Sequence, residues 1–391
     1  RWVASAMAGR SRKSVVADDR GTEAQKVKIS ENLGRREEQV DIRKDALHVA
    51  VAKGDVEEMR RLISRGVVVG AADDYGCTAL HAAAFSSQAE LLDELLAARA
   101  RLESCDLEGR TALHVASDAP CVERLCSHGA RLDVRDLQGA LPLHVALRHG
   151  HSEAAEAFVA RRADVRALDG SGRSALHCAA ASCPKGLQTL LADRSLGLKA
   201  LVPAADRWGR TALHLAASAD AGTCLLDHGA PIEAKDTDGR TPLMSVAAKG
   251  RSDTLLVLLQ RGGAVGSKDA SSSTALHHAA THGHVDVIRL LLEQAASLET
   301  GNGGGVTALH LALLGGHGGA AAELLRGRAD ARRHSAHGRP PLALAVLGGD
   351  AAAVRHLLEA KADAEAKDSE GLTAPSLARR WNVLEMDKQF E

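Results

Sequence analysis

Eleven copies of a four-residue phrase constrain this chain more than any other feature, and seven of the ten intervals between them are 33 residues. The phrase reads Thr-Ala-Leu-His at Thr78, Thr111, Thr211, Thr274 and Thr307, with degraded copies starting at Asp45, Leu141, Ser174, Thr241, Pro340 and Thr373. A fixed period of this length defines a solenoid, in which a unit buries its apolar face only by stacking on its neighbours. Such a chain offers a long recognition surface rather than one enclosed catalytic pocket.

One unit shows the chemistry. Asp106-Leu107-Glu108-Gly109-Arg110 reads as a turn, because Asp bonds its own backbone two residues on and Gly supplies positive φ. Thr111 stands where a helix N-cap belongs, and Leu113, Val115 and Ala116 give a short helix with a narrow apolar face. Pro120 falls in the connection that follows. Cys121, Val122, Leu125 and Cys126 lie at helical spacing and predict a second helix, closed by Gly129 in left-handed geometry.

Further phrases recur at fixed places in the unit. Thr241-Pro-Leu243 and Leu141-Pro-Leu-His144 are close to Thr-Pro-Leu-His, and Gly-His opens the second helix at Gly150, Gly283 and Gly316. A Leu pair stands near that helix's end at Leu95, Leu225, Leu291, Leu324 and Leu357, and Gly-Ala follows at Gly129 and Gly229. On these residues the stretch 42–385 resembles the ankyrin repeat family. The resemblance implies an all-α solenoid of about ten to eleven stacked helix–turn–helix repeats with short β-turn or hairpin loops. It also implies a concave groove made by the turn tips and first helices, and a motif imidazole that ties turn to helix.

Departures from the pattern are local. The intervals from Thr111 to Leu141 and from Thr211 to Thr241 are three residues short, with the loss placed at the inter-helix link near Asp118–Pro120 and Ala219–Ala221. The interval from Ser174 to Thr211 is four residues long, and Ser195–Pro203 carries the excess, as a loop on one face. Met244 and Ala343 replace the motif His, so those two units are expected to be folded but softer.

Composition narrows the function classes. Aromatic residues make up 2% of the chain, too few for an ordinary enzyme core but enough for thin Ala- and Leu-lined interfaces. A formal charge of −1 gives no basic footprint for nucleic acid. No apolar run approaches a bilayer-spanning length, and no signal peptide is evident. The seven Cys show no CxxC pair and read as small apolar fillers, reduced thiols of an intracellular, mostly cytoplasmic protein. Residues 1–41 are read as a charged, disordered tail and 386–391 as a C-terminal tail, with Leu377, Trp381, Val383 and Leu384 capping the array. The start at Arg1 suggests a piece of something longer.

Histidine and glycine motifs have structural readings. Eight of the nineteen His occupy one slot of the phrase, where a buried polar ring must find a partner. His278 and His282 form an i, i+4 pair, but no Cys or carboxylate completes a tetrahedral metal set. Gly301–Gly305 precedes a helix without GxxxxGK[ST], and stands where other units have their turn. No GxSxG, HExxH or kinase signature is present, and no catalytic residue, metal or cofactor is implied.

What remains is a set of binding anchors. Tyr75 and Trp208 sit at turn tips, and Phe85 falls just after a first helix, where the resemblance places groove residues. Tyr and Trp dominate many interfaces. Trp208 is read either as an anchor or as a staple for 195–203. Arg148, Lys249, Leu314 and Leu347 occupy the slot of Phe85 or its neighbour. Arg326, Arg328, Arg332, Arg333 and Arg339 form a basic run that reads as a solvated surface or as a receptor for an acidic or phosphorylated segment, with Arg332 and Arg333 as its contacts. The function implied is a monomeric, non-catalytic protein-binding scaffold. The alternatives are the targeting or substrate-receptor arm of a larger enzyme or ubiquitin-ligase adaptor, a nuclear regulator carrying Arg10-Ser-Arg-Lys13, and a passive spacer.

Overall fold

The structure, a computed structural model, describes residues 46–380 and residue 390. The 1–41 tail, the Arg10–Lys13 cluster and the capping residues Trp381, Val383 and Leu384 lie outside the described residues. The chain divides into two compact units, one ending at Ser171 and the other beginning at Gly172. Both are built from the same helix–turn–helix repeat, and among the described residues there are helices and isolated bridges only.

Most repeats begin with an aspartate that organises its own turn. Asp106 Oδ1 accepts the N–H of Glu108 at 2.9 Å and of Arg110 at 2.8 Å, and its Oδ2 takes the Arg110 side chain at 2.8 Å. Asn302 does the same for Gly304 and Val306, so the glycine-rich run is a repeat turn. Several successive tips are tied by one backbone bond. Leu107 donates to Tyr75 at 3.0 Å and Leu137 to Glu108 at 2.9 Å in the first unit, and Thr237 donates to Trp208 at 2.9 Å in the second.

The turn delivers the chain to a first helix such as Ala79–Phe85, whose N-cap Thr78 is extended. Its small residues Ala82, Ala83 and Ala84 are buried and let neighbouring first helices approach closely. The second helix, such as Ala89–Ala97, buries Leu91, Leu92 and Leu95 on one face. First helices stack on first helices and second on second within each unit. Each buried Leu contributes about 1.5–3 kcal/mol by removing apolar surface from water.

The two short repeats differ from the sequence reading. The missing residues come out of the first helix and not the link: Ala112–Val115 and Ala212–Leu215 have 4 residues each. Pro120 accordingly lies inside the second helix, Ala119–Ser127, in the first turn. Its absent N–H costs nothing there, because the first N–H groups of a helix have no intrahelical acceptor. Asp118 and Ser218 cap these second helices by accepting from Cys121 at 3.0 Å and Ala221 at 3.2 Å. The 195–203 insertion is no open loop either. It folds into two 3₁₀ turns, Arg194–Leu196 and Leu198–Leu201, and buries Leu198 and Val202.

Candidate functional site

The motif histidines are structural and hold the surface rigid. His81 Nδ1 accepts the Thr78 N–H at 3.1 Å, while Nε2 faces the Arg110 carbonyl at 2.9 Å. A carbonyl only accepts, so Nε2 carries the proton and the ring is neutral. Burial pushes His81, His114, His144, His214, His277 and His310 below the ordinary histidine value. His278 and His282 are engaged elsewhere: His278 Nε2 lies 2.8 Å from Asp269 Oδ2, and His282 Nδ1 donates to the His278 carbonyl at 3.0 Å.

Shortening of helix Ala112–Val115 leaves a gap in the first unit. A cavity of about 640 Å³ is lined there by Tyr75, Leu107, Glu108 and Arg110 from two turn tips and by Ala82 and Phe85 from the preceding helix. Val115 contributes from the shortened helix itself, and Val145, His149 and His151 from the repeat that follows. Tyr75, Phe85 and Leu107 are 54%, 47% and 68% exposed, so this apolar surface is open to a partner. Phe85 closes its helix and does not follow it.

Charge around the cavity is largely compensated. Arg110 pairs with Asp106 at 2.8 Å and with Glu108 at 3.2 Å. The His149 and His151 rings stack with centroids 6.1 Å apart. Both are held below the ordinary histidine value, His149 by burial and then by Arg148 and His151, and His151 by burial. At neutral pH the walls are therefore mostly apolar with uncharged imidazoles. They suit an aliphatic or aromatic side chain better than an ion.

The other anchors stand apart from this cavity. Trp208 belongs to the second unit and is 48% exposed. Its stacking partner is Arg210 in its own turn, with the guanidinium carbon 4.6 Å from the ring centroid. The basic run bonds its own neighbours. Arg333 Nη1 donates to the Glu299 carbonyl at 2.7 Å and to its carboxylate at 3.0 Å. Arg332 Nε donates to the Lys361 carbonyl at 3.1 Å, and Arg326 pairs with Glu323 at 2.8 Å.

Sequence reasoning missed Leu107, Val115, Val145, His149 and His151 as lining residues. The signal that could have found them is the interval three residues short, which removes bulk from the groove in front of Phe85.

No described helix is long and apolar enough to cross a membrane. A family model described as "Ankyrin repeats (3 copies)" matches residues 26–104, 47–136, 86–169, 117–200, 194–269 and 246–335. Ankyrin repeats are generally protein–protein interaction modules and typically non-catalytic. With that match over most of its length and a helix–turn–helix unit throughout the described residues, the chain belongs to the ankyrin repeat family.

Proposed function

We propose that this protein is a non-catalytic scaffold that captures a partner protein by seating an apolar side chain in the gap over helix Ala112–Val115. The observation that carries this reading is the coincidence of a missing helical turn with three exposed apolar residues, Tyr75, Phe85 and Leu107, around one cavity. The histidine and turn-tip bonds pre-order the walls, so little conformational entropy is lost on binding. Trp208 offers a second contact in its own unit, and Arg332 and Arg333 a weaker one, since their guanidinium groups are already bonded. Burial pushes the Cys77 thiol up to about 12, which keeps it protonated and fits a small apolar filler.

Affinity capture from native extract tests the reading. The intact array is compared with a Tyr75→Ala/Phe85→Ala variant and, separately, with Trp208→Ala, after circular dichroism shows equal helix content. A partner held by the intact protein and lost with the double variant supports the cavity. A partner retained by the double variant excludes it.

A further inference from the structure

The second short repeat has the same architecture as the first and the opposite electrostatics. Three intervals bring the repeats back into register after 100 residues, so Leu107, Glu108, His149 and His151 correspond to Arg207, Trp208, Lys249 and Arg251. Four cavity-lining positions with one carboxylate and no cation thus become three cations and an indole. Arg110, which pairs with Asp106, corresponds to Arg210, which pairs with Asp206 at 2.7 Å.

The remaining cations have no such relief. Arg251 uses Nη1 to donate to the carbonyls of Leu215 at 2.9 Å and Ala216 at 2.7 Å, at the C-terminal end of the shortened helix. Those bonds fix the guanidinium at the end of that helix and leave its charge without a carboxylate among the described residues. Lys249 caps the neighbouring helix Pro242–Ala248 and also lacks a carboxylate partner among them. Although Lys249 is exposed, desolvation by the protein around it, then the charges of Arg251 and Arg210, push its ammonium down to about 8, and no carboxylate acts in the other direction. Trp208 stacks on Arg210, whose charge is among those acting on Lys249. Positive charge is concentrated here at a standing electrostatic penalty that an anion would remove.

We propose that the surface at the end of helix Ala212–Leu215 is a binding site for a phosphate monoester on a side chain of a partner segment, taken by Lys249 and Arg251 near the Trp208 ring. Two uncompensated cations match the charge of roughly −1.5 to −2 that a phosphate monoester carries near neutral pH. A carboxylate satisfies only one of them. This site is preferred to the basic run at Arg326–Arg339 as the anion receptor, because there Arg332 and Arg333 are already bonded to neighbouring repeats and Arg326 to Glu323 of its own helix. Carriage of the phosphate by a partner segment rests on the protein-binding reading above, whereas the anion site itself does not.

The test needs no partner. In the full chain carrying Trp2→Phe and Trp381→Phe, Trp208 is the sole indole, and its fluorescence is titrated with phenyl phosphate, phenylacetate and phenol. Phenyl phosphate should saturate the signal at roughly millimolar concentration. Phenylacetate should bind on the order of tenfold more weakly and phenol should not saturate. Lys249→Gln, a change at an exposed side chain, should weaken phenyl phosphate on the order of tenfold while leaving the helix signal intact. No saturable response, equal affinity for phenylacetate, or indifference to Lys249→Gln each overturns the proposal. Such a failure leaves the Tyr75–Phe85 cavity untouched, and failure of partner capture through that cavity leaves this site untouched.

Discussion

The Nε2–H of His277 donates to the carbonyl of Val306 in the next repeat at 3.1 Å, while its Nδ1 accepts the Thr274 N–H at 3.1 Å. One ring thereby holds its own helix start and the adjoining turn. Replacing His277 by Ala removes both bonds and leaves the Val306 carbonyl without its lateral donor. The loss should be about 1–3 kcal/mol, the scale of a buried polar group left unpaired. In a stack, neighbours share the damage only locally. Hydrogen exchange should therefore quicken first in the turn amides of 302–306, with the repeats around Thr111 unchanged.

Acid sensitivity follows from the same rings. The six motif histidines held below the ordinary value bind fewer protons folded than unfolded. Their contribution is fully present above the unfolded value of about 6.5 and is lost as pH falls from there through the lower folded values. Each adds up to about 1.4 kcal/mol per pH unit in that window. Urea midpoints should be flat from pH 8 to about 7 and then fall steeply towards pH 5. A flat profile through pH 5 would show the rings to be charged or solvated.

Gly76 carries a demand of a different kind. Its φ is +77°, and a Cβ there would stand 2.8 Å from the Leu107 backbone nitrogen, the donor of the tip-to-tip bond to Tyr75. Gly76→Ala should destabilise the array by about 1–3 kcal/mol from the backbone term alone. It should also displace Tyr75 from its place on the cavity. The first effect is read by denaturation, the second by loss of Tyr75 fluorescence anisotropy in a Trp-free background.

The repeat unit was legible because its signals are local: Thr before the helix, Asp and Gly in the turn, and Leu at helical spacing in the second helix. The cavity was not. A three-residue deletion says that something is missing, but Asp118 and Ala119 suit a link and a helix start equally well. The choice is made by packing, since Asp118 caps Cys121 and keeps the second helix at 9 residues while the first loses its last turn. The pairing of Arg333 was not legible for a related reason. The partner of Arg333 is Glu299, 34 residues earlier, a distance that only the stacked repeat spans.

As proposed above, the empty turn in front of Phe85 receives a partner's side chain. Val115, half-buried on the shortened helix and on the cavity lining, gives the most direct handle. The variant Val115→Trp places an indole in the gap without touching a fully buried core position. Titration calorimetry of the captured partner against wild type and Val115→Trp, both with native helix content, should show binding lost or weakened on the order of a hundredfold, the weight of one interface hot spot. Unchanged affinity with the gap filled would contradict the account.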